Sequence, residues 1–421
     1  KRQAELTAEA QESIRKDNQI AFYKTAFDAA EALHFSESET RKRLIDTMLL
    51  AAGWDVTDSD QVQMEVPLGG QFTESGAGYA DYVLYDDDGT AIAVIEAKRT
   101  AESPAKGRKQ AQGYADALEK QNTKNVRPLI ILSNGYETTL VDDRGGPASL
   151  GVRGYADRQI YGLPSKDSLS YRVKYQRGNM QDPAGLAHRP DIVNRPYQVE
   201  AVKAVAECFG ERRRRKALVV QATGTGKTRV AIALAELLMR AGFAKRILFL
   251  CDRKELRRQA KNTFTQFMPD CNVTVLSRIK DIGAQVVLAT YPAMMKRFQD
   301  YDVAWFDLVI ADESHRSIYN KYRDLFLYFD ALQLGLTATP RHKVSHNTYA
   351  MFDCKAEDPT YFYEYERAVD EGYLVDFTPV AVTSRFLREG IHSDQLSEKE
   401  KQRLEEEGID PESLDIEAER L

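Results

Sequence analysis

Apolar positions along the chain recur with two different periods, and the switches between them mark its organisation. From residue 36 to 52, Leu44, Ile45, Met48, Leu49 and Ala52 fall three or four apart on one helical face, behind Ser36 and Glu39 at the spacing of a capping box. Short apolar runs at 62–66, 79–85, 91–97 and 128–132 predict strands, with a helical segment near 107–119 between the last two. This order predicts an α+β unit with a hairpin at its centre. From 162 to 196 the text turns rich in Pro, Gly and charge, which predicts a linker or wrapping loop. Beyond it, KALVVQ, RILFLC, VVLAT, DLVIAD and LQLGLTA are uninterrupted apolar strands alternating with helical segments up to about residue 333. Strands apolar on both faces and separated by helices predict a parallel, doubly wound sheet. The last thirty or so residues, from His392 onward, are charged and poor in core residues, as in a surface helix or a segment lacking its packing partner. The expected divisions are therefore 1–160, 161–195, 196–345 and 346–421.

The central hairpin, GYADYVLYDDDGTAIAVIEAKRT, places charge at the edge of an apolar pair of strands. With Asp88 and Gly89 as a two-residue turn, Asp87 faces Thr90, and the register brings Asp81 opposite Glu96. Strand alternation puts Glu96 and Lys98 on one face. Facing carboxylates repel unless a cation or a proton lies between them. Mg²⁺ suits such a pair, since it binds through one or two carboxylates, keeps waters, and can activate a water beside a phosphate. Lys98 would then position that water or neutralise the growing charge. The competing reading is an exposed hairpin end whose acids keep a sheet edge soluble.

Asp81 followed by Glu96-Ala97-Lys98 resembles the core of the PD-(D/E)xK nucleases, with Ala80 where the family name has proline. Gln110 and Tyr114 resemble the QxxxY of its RecB-like branch. The resemblance implies catalytic roles for Asp81, Glu96, Lys98, Gln110 and Tyr114, with Asp81 and Glu96 as metal ligands. Glu39 resembles the acid that a first helix lends to the metal in such enzymes, and its capping-box role explains it equally well. Lys106, Arg108 and Lys109, at the start of the next helix, are either phosphate contacts or solvated charges.

The second unit opens with strand KALVVQ, the loop ATGTGKT and helix RVAIALAELLM, the setting of a phosphate cradle. Thr223, Gly224, Thr225 and Gly226 form the loop, Lys227 reaches the β and γ oxygens, and Thr228 offers a hydroxyl to Mg²⁺. Gln221 stands where the usual pattern has its first glycine. At the end of DLVIAD, Asp312 is placed to hold Mg²⁺ and Glu313 to orient an attacking water. With RPYQ, LATYPAM and LGLTATP, these resemble the ordered motifs of superfamily two helicases. That resemblance implies a RecA-like domain that binds ATP, in which Gln198 reads adenine and His315, Thr337 and Thr339 couple nucleotide to DNA. Segments 252–259 and 290–292 would line the nucleic-acid path. The basic run Arg212 to Lys216 reads as a solvated offset to a helix dipole rather than a DNA clamp.

Composition narrows this further. The 421 residues, 43% hydrophobic, allow two or three cored domains. A net charge of −6 confines any nucleic-acid surface to a local patch. No apolar run reaches membrane length and the first residues lack a signal-like apolar core, so the expected location is the cytoplasm. The four scattered cysteines, Cys208, Cys251, Cys271 and Cys354, read as small apolar residues in a reducing compartment.

A metal nuclease followed by a superfamily two motor, with SESETRKRLIDTMLLAAGWDV and ERAVDEGYLVDFTP, is similar to the R subunit of type I restriction-modification enzymes. The fold this implies is α/β multidomain: an α+β PD-(D/E)xK domain in 1–160, a linker in 161–195, a first RecA-like domain in 196–345, and in 346–421 the start of a connection toward a second. It also implies docking on methyltransferase and specificity subunits, ATP-driven passage of double-stranded DNA, and Mg²⁺-dependent cutting once translocation stalls. A repair or phage-defence helicase-nuclease without a methylase is the alternative enzyme, and a non-cleaving, DNA-holding ATP switch the non-enzymatic one. Lys1 in place of Met, and no QxxGRxxR pattern after Pro340, lead to the expectation of an amino-terminal fragment lacking a second RecA-like domain. Without arginines from such a domain, the expected outcome of a steady-state assay with DNA is slow ATP turnover or none; vigorous DNA-stimulated turnover by this chain alone would contradict it.

Overall fold

In the computed structural model the described residues are 36–69, 77–100, 102–122, 125–143, 154–176, 179–314, 320–340, 342–343, 346–355 and 358–376. The expectations for His315 and for the charged stretch from His392 onward lie outside them. The first helix, α1, runs from Glu37 to Ala51 through a π-helical turn at Arg41–Ile45. The capping box forms as its sequence implies: the Ser36 hydroxyl accepts from the Glu39 N–H, and the Ser36 N–H donates to the Glu39 carboxylate. Such a cap stabilises a helix by about 1 kcal/mol.

Six strands follow, β1 (Val62–Gly69), β2 (Ala77–Tyr85), β3 (Ala91–Ala97), β4 (Leu129–Ser133), β5 (Thr138–Val141) and β6 (Arg158–Ile160), in one sheet in chain order. Only β3 and β4 pair in parallel, and helix α2 (Arg108–Gln121) makes their crossover. Every residue of β3 is buried, because both faces of the sheet are covered. On one face Tyr82, Leu84 and Ile95 pack with Ile45, Leu49 and Trp54; on the other Val83 and Val94 pack with Ala111, Tyr114 and Leu118 of α2. Asp81 and Glu96 are in phase with Val83 and Val94, and so share the α2 side.

The β2–β3 register is the expected one, reached by a different turn. Tyr82 faces Ile95 and Leu84 faces Ala93, which continues toward Asp81 and Glu96. The turn, however, is closed by Asp86 and Thr90, with Asp87, Asp88 and a left-handed Gly89 between them. Tyr85 then faces Ala91, and a bulge at the next step restores the register. A three-residue loop and one extra strand residue cancel each other.

The expected linker is divided between two cores. A helix, α3 (Lys166–Ser170), continues through a π turn to Gln176, and Leu163, Leu169 and Val173 complete the core beneath α1. Lys174 ion-pairs with Asp86 and Asp88 of the hairpin turn, and Lys166 with Asp87. Met180, Ile192 and Val193 instead join the core of the following unit.

That unit is a seven-stranded, wholly parallel sheet. Its strands are β7 (Lys216–Gln221), β8 (Ile247–Cys251), β9 (Val273–Val275), β10 (Val286–Thr290), β11 (Leu308–Asp312), β12 (Leu332–Thr337) and β13 (Tyr361–Tyr363), in the spatial order β13-β7-β12-β11-β8-β10-β9. Helix α4 (Pro196–Phe209) leads into β7, and α5 (Lys227–Arg240) and α6 (Lys254–Phe267) connect β7 to β8 and β8 to β9. Strand β13 moves the expected boundary at 345 to beyond 363, since it pairs with β7 and extends the sheet. Phe352 is part of the same core, with its ring against Gly335, where a Cβ would lie 2.6 Å from it. Cys208 and Cys251 are buried, and all four cysteines are free thiols.

The described residues up to Glu371 form one compact unit, and its two large sheets meet at a buried carboxylate. Asp330, just before β12, accepts from Arg158 of β6 (2.6 and 3.0 Å), from Arg172 of the π turn and from Arg215 before β7 (2.6 Å). Arg213 lies against the rings of Tyr155 and Phe243 at the same junction. The basic run is thus corrected in part: Arg213 and Arg215 face inward, while Arg212 pairs with Glu207 and Lys216 with Asp353. Nothing in their spacing revealed a carboxylate more than a hundred residues later.

Burial by itself would raise the Asp330 carboxyl, but Arg158, Arg215 and Arg172 overcome it and hold it well below the usual range. Its stabilising contribution is therefore complete above the unfolded value of about 3.9 and is lost as pH falls through the lower folded value. Asp330→Asn should cost about 3–5 kcal/mol in urea unfolding at neutral pH, because three guanidinium groups lose their counter-charge. Parent and variant should converge only in strong acid; equal stability at pH 7 would contradict this account.

Candidate functional site

The β2–β3 ladder ends at Tyr82 and Ile95, and the Asp81 side chain takes over, accepting the Ala97 N–H at 2.7 Å. The other Asp81 oxygen pairs with Arg41 at 3.1 Å. Burial pushes the Asp81 carboxyl up, against the pull of the Ala97 N–H and Arg41. Glu96, 1% exposed, has one oxygen accepting from Lys98 at 2.7 Å, and the other, Oε2, buried with no hydrogen-bond partner. Its carboxyl is pushed up to about 7, chiefly by burial, with Asp81 and Glu37 adding to it and Lys98 opposing. Burial pulls Lys98 down, but Glu96 outweighs it and the ammonium ends above its usual value.

A close turn roofs this group. At Gly107, which ends the 3₁₀ turn Pro104–Gly107, a Cβ would lie 2.5 Å from Glu96 Cγ and 3.1 Å from Lys98 Cε. One residue on, α2 begins, and Gln110 donates to the Tyr114 hydroxyl at 2.6 Å. Tyr114 is buried, and its pKa is raised first by burial and further by Glu96 and Asp81. The five expected residues are thus gathered on one side of the sheet, though Gln110 is itself exposed.

At Glu39 the capping-box alternative is the one that forms. Its carboxylate is engaged by Ser36 and lies near Arg43, and its pKa is lowered first by the Ser36 N–H. The acid of α1 whose charge acts on Asp81, Glu96 and Lys98 is Glu37. Helical geometry explains the exchange: Glu37, Arg41, Ile45 and Leu49 are four apart on the face that meets the sheet, whereas Glu39 is turned about 200° from Glu37. A helical wheel drawn from buried Ile45 and Leu49 would have found Glu37 and Arg41. Arg41 also reaches Glu65 at 3.0 Å. Glu65 lies between the Met64–Tyr82 and Val66–Ala80 pairs, opposite Asp81, with φ of +50°. Farther along, Arg108 pairs with Asp157 and Lys106 with Glu102, so of the three basic residues considered for phosphate, two have acidic partners.

The donor set fits a small hard cation. Among the described residues no three His, Cys, Asp or Glu side chains converge as a metal cage. Two carboxylates, one with an orphaned buried oxygen, match an ion that takes one or two carboxylates and otherwise keeps its waters, as Mg²⁺ does. Arg41 stands beside Asp81 as a competing cation.

At the carboxyl edge of the parallel sheet the second constellation assembles. Gly224 and Gly226 have φ of +89° and +90°, a conformation an L side chain would strain. A Cβ on Gly226 would also lie 2.7 Å from Gln198 Nε2. Gln198 and Tyr197 both donate to the Thr225 carbonyl, at 2.9 and 3.0 Å. The Thr225 hydroxyl is spent on the Ala222 carbonyl, while Thr223 and Gly224 are exposed and Thr228 sits in the first turn of α5. Lys227 donates to the Gln221 carbonyl at 3.3 Å; burial lowers its pKa, with Glu313 and Asp312 opposing. Asp312 is pushed up to about 6 by burial and by Glu313, which itself has φ of +53°. Thr337 is buried and accepts the Thr339 N–H. Sequence reading missed Tyr363: its ring stacks on Tyr197, with centroids 4.2 Å apart, and its carbonyl accepts the Ala222 N–H. A three-residue strand so far from the loop leaves no periodic signal.

Residues 61–149 match the family model "Type I restriction enzyme R protein N terminus", and residues 191–342 match "Type III restriction enzyme, res subunit". The chain is 29% identical over 390 residues to the type I restriction enzyme EcoAI endonuclease subunit of Escherichia coli, covering 83% of this chain and 44% of that one. It is 28% identical over 461 aligned positions to the EcoKI endonuclease subunit of Escherichia coli strain K12, covering 88% of this chain and 38% of that one. It therefore spans less than half the length of either relative. A solved fragment described as an HsdR subunit of a type I restriction enzyme from Vibrio vulnificus YJ016 aligns at 24% identity over 80% of this chain and 61% of that one, with a TM-score of 0.37.

Metal titration separates the roles of the charges around Asp81. Mn²⁺ binding, followed by paramagnetic resonance, should be lost in Glu96→Gln and should tighten roughly tenfold in Arg41→Gln, the equivalent of about 1.4 kcal/mol of ion pairing removed. Unchanged affinity in both variants would contradict the fit.

Proposed function

We infer that this chain, a relative of the R subunits of type I restriction enzymes, is a nuclease and ATP-driven motor subunit that cuts double-stranded DNA. The observation that carries the reading is the buried pair Asp81 and Glu96, with Glu96 Oε2 unpartnered and Lys98 clamped beside it. A scaffold has no need of an orphaned carboxylate oxygen, which costs free energy to bury.

In this reading Asp81 and Glu96 hold Mg²⁺, with Glu37 adding negative potential from α1. The bound ion supplies Lewis-acid polarisation of the scissile phosphate and a more acidic water. Lys98 fixes Glu96 through its hydrogen bond and keeps its proton, so it offers positive charge, not basicity, to the phosphorane-like transition state. Tyr114 and Gln110 form a polar wall on the α2 side. At the nucleotide site Gln198 reads the adenine edge of ATP, the turn Thr223 to Gly226 presents backbone N–H groups to phosphates, and Lys227 meets the β and γ oxygens. Thr228 and Asp312 hold its Mg²⁺, and Glu313 orients the attacking water. Nothing in the site reads a DNA sequence, which agrees with specificity and methyltransferase subunits as partners that choose the target. The work would be done in the cytoplasm, where such partners and DNA meet.

The test uses the complete complex. Asp81→Ala, Glu96→Ala and Lys98→Ala should each reduce double-strand cleavage at least about a hundredfold while leaving ATP turnover intact. Lys227→Ala should abolish ATP turnover and ATP-driven movement along DNA. Cleavage at the parental rate by Asp81→Ala and Lys98→Ala complexes would refute the nuclease assignment.

A further inference from the structure

We propose that the cavity at the junction of the two sheets binds one small tetrahedral oxyanion of the phosphate class. Its lining includes four guanidinium groups, those of Arg158, Arg172, Arg213 and Arg215, and three carboxylates. Asp330 alone takes hydrogen bonds from three of the four, and Asp307 is already engaged by the N–H groups of Lys245 and Arg246.

Donors remain over. Nη1 of Arg158 and Nε and Nη2 of Arg213 are buried with no hydrogen-bond partner. A buried guanidinium without acceptors is costly, and an anion is the ligand that relieves it. Arg213 is held for such a role in a way that leaves its edge free. Its guanidinium lies 5.5 Å from the Tyr155 ring centroid and 5.8 Å from that of Phe243, and it hydrogen-bonds Tyr155 as well, yet Nε and Nη2 keep no acceptor. Its backbone has φ of +47°, a left-handed conformation that a long side chain adopts at a cost. The neighbouring Arg215, pushed down to about 10 by burial and by the charges of Arg158 and Arg172, reports the same surplus of positive charge.

Size selects the ligand. The cavity has about 40 Å³ of free space, and a single water needs about 10–15 Å³ on that measure. It admits about three waters or one phosphate-sized group and excludes a whole nucleotide. Arg fits this use better than Lys, since its planar fork matches an oxyanion with two parallel N–H groups.

The experiment follows thermal unfolding of the full chain carrying Lys227→Ala, which removes phosphate binding at the nucleotide loop. Inorganic phosphate should raise the melting temperature saturably, by about 2–4 °C, relative to chloride at equal ionic strength. Saturation matters, because phosphate also stabilises proteins non-specifically without it. The saturable rise should vanish in Arg213→Gln and be weakened in Arg213→Lys, which keeps the charge and loses the fork. Isothermal titration with phosphate should give one site in the Lys227→Ala chain and none once Arg213→Gln is added. ADP and a short DNA duplex should not compete, since the cavity excludes a whole nucleotide; competition by either would place the bound phosphate elsewhere and overturn the proposal. A rise that does not saturate, or that survives in Arg213→Gln, means a water-filled cavity and overturns the proposal.

Discussion

One carboxylate holds the architecture together. Asp330 gathers guanidinium groups from β6, from the turn after α3 and from the approach to β7, and its own carbonyl accepts from Arg172 as well. Arginine is the residue such a knot needs, because its charge persists through burial and its fork can bind two oxygens at once. From Arg172 the chain continues two residues to Lys174, which grips Asp86 and Asp88 in the hairpin turn. The hairpin that carries Asp81 and Glu96 is thereby fastened at its far end to the same segment that is fastened to the parallel sheet. Ion pairs thus tie both the hairpin turn and the approach to the parallel sheet to one short segment, Arg172 to Lys174.

The hairpin's acids accordingly do two separate jobs. Those at the turn are neutralised by Lys166 and Lys174 and dock a helix, while those at the base stay partly uncompensated. The difference is visible in their charge states. Asp88 is lowered to about 2, first by its bond with Lys174, whereas Glu96 is raised to about 7 by burial. Identical chemistry at opposite ends of two short strands thus yields a structural clamp at one end and a ligand-ready site at the other.

Periodic signals were the legible part of the sequence. Strands β1 to β4, β7, β8, β10, β11 and β12, with α1, α2 and the phosphate loop, stand where alternation, helical spacing and glycines placed them, since each is specified by neighbours in the chain; the short edge strands β5, β6 and β9 gave no such signal. The Asp81–Glu96 register was also legible, although its true turn carries an extra residue and a compensating bulge. That compensation has a cause: a one-residue slip would turn Tyr82 and Leu84 away from the core beneath α1, so burial fixes the register whatever loop closes it. Contacts between distant segments were illegible. Arg213 and Arg215 looked like solvated charge because Asp330 and Tyr155 are their partners only in space, and β13 could not be foreseen because three residues pairing with β7 carry no period of their own. Glu37 went unnoticed for a third reason, that the capping box accounting for Glu39 locally does not say which way its neighbours face.

The cations at the two candidate ligand positions are compensated less fully than those that knot the fold. Asp330 takes three guanidinium groups and Asp86 the Lys174 ammonium at 2.6 Å. Arg41 instead meets Asp81 at 3.1 Å, and Lys227 donates to the Gln221 carbonyl at 3.3 Å, a neutral acceptor. A buried charge must be compensated for the chain to fold at all, yet a partner bound too tightly would exclude the ligand. Loose internal partners meet both demands: in the proposed reading they would keep each site folded without its ion or nucleotide and would yield to it. Lys98, at 2.7 Å from a Glu96 carboxylate that is otherwise buried, would on the same reading stay with Glu96 where Arg41 gives way.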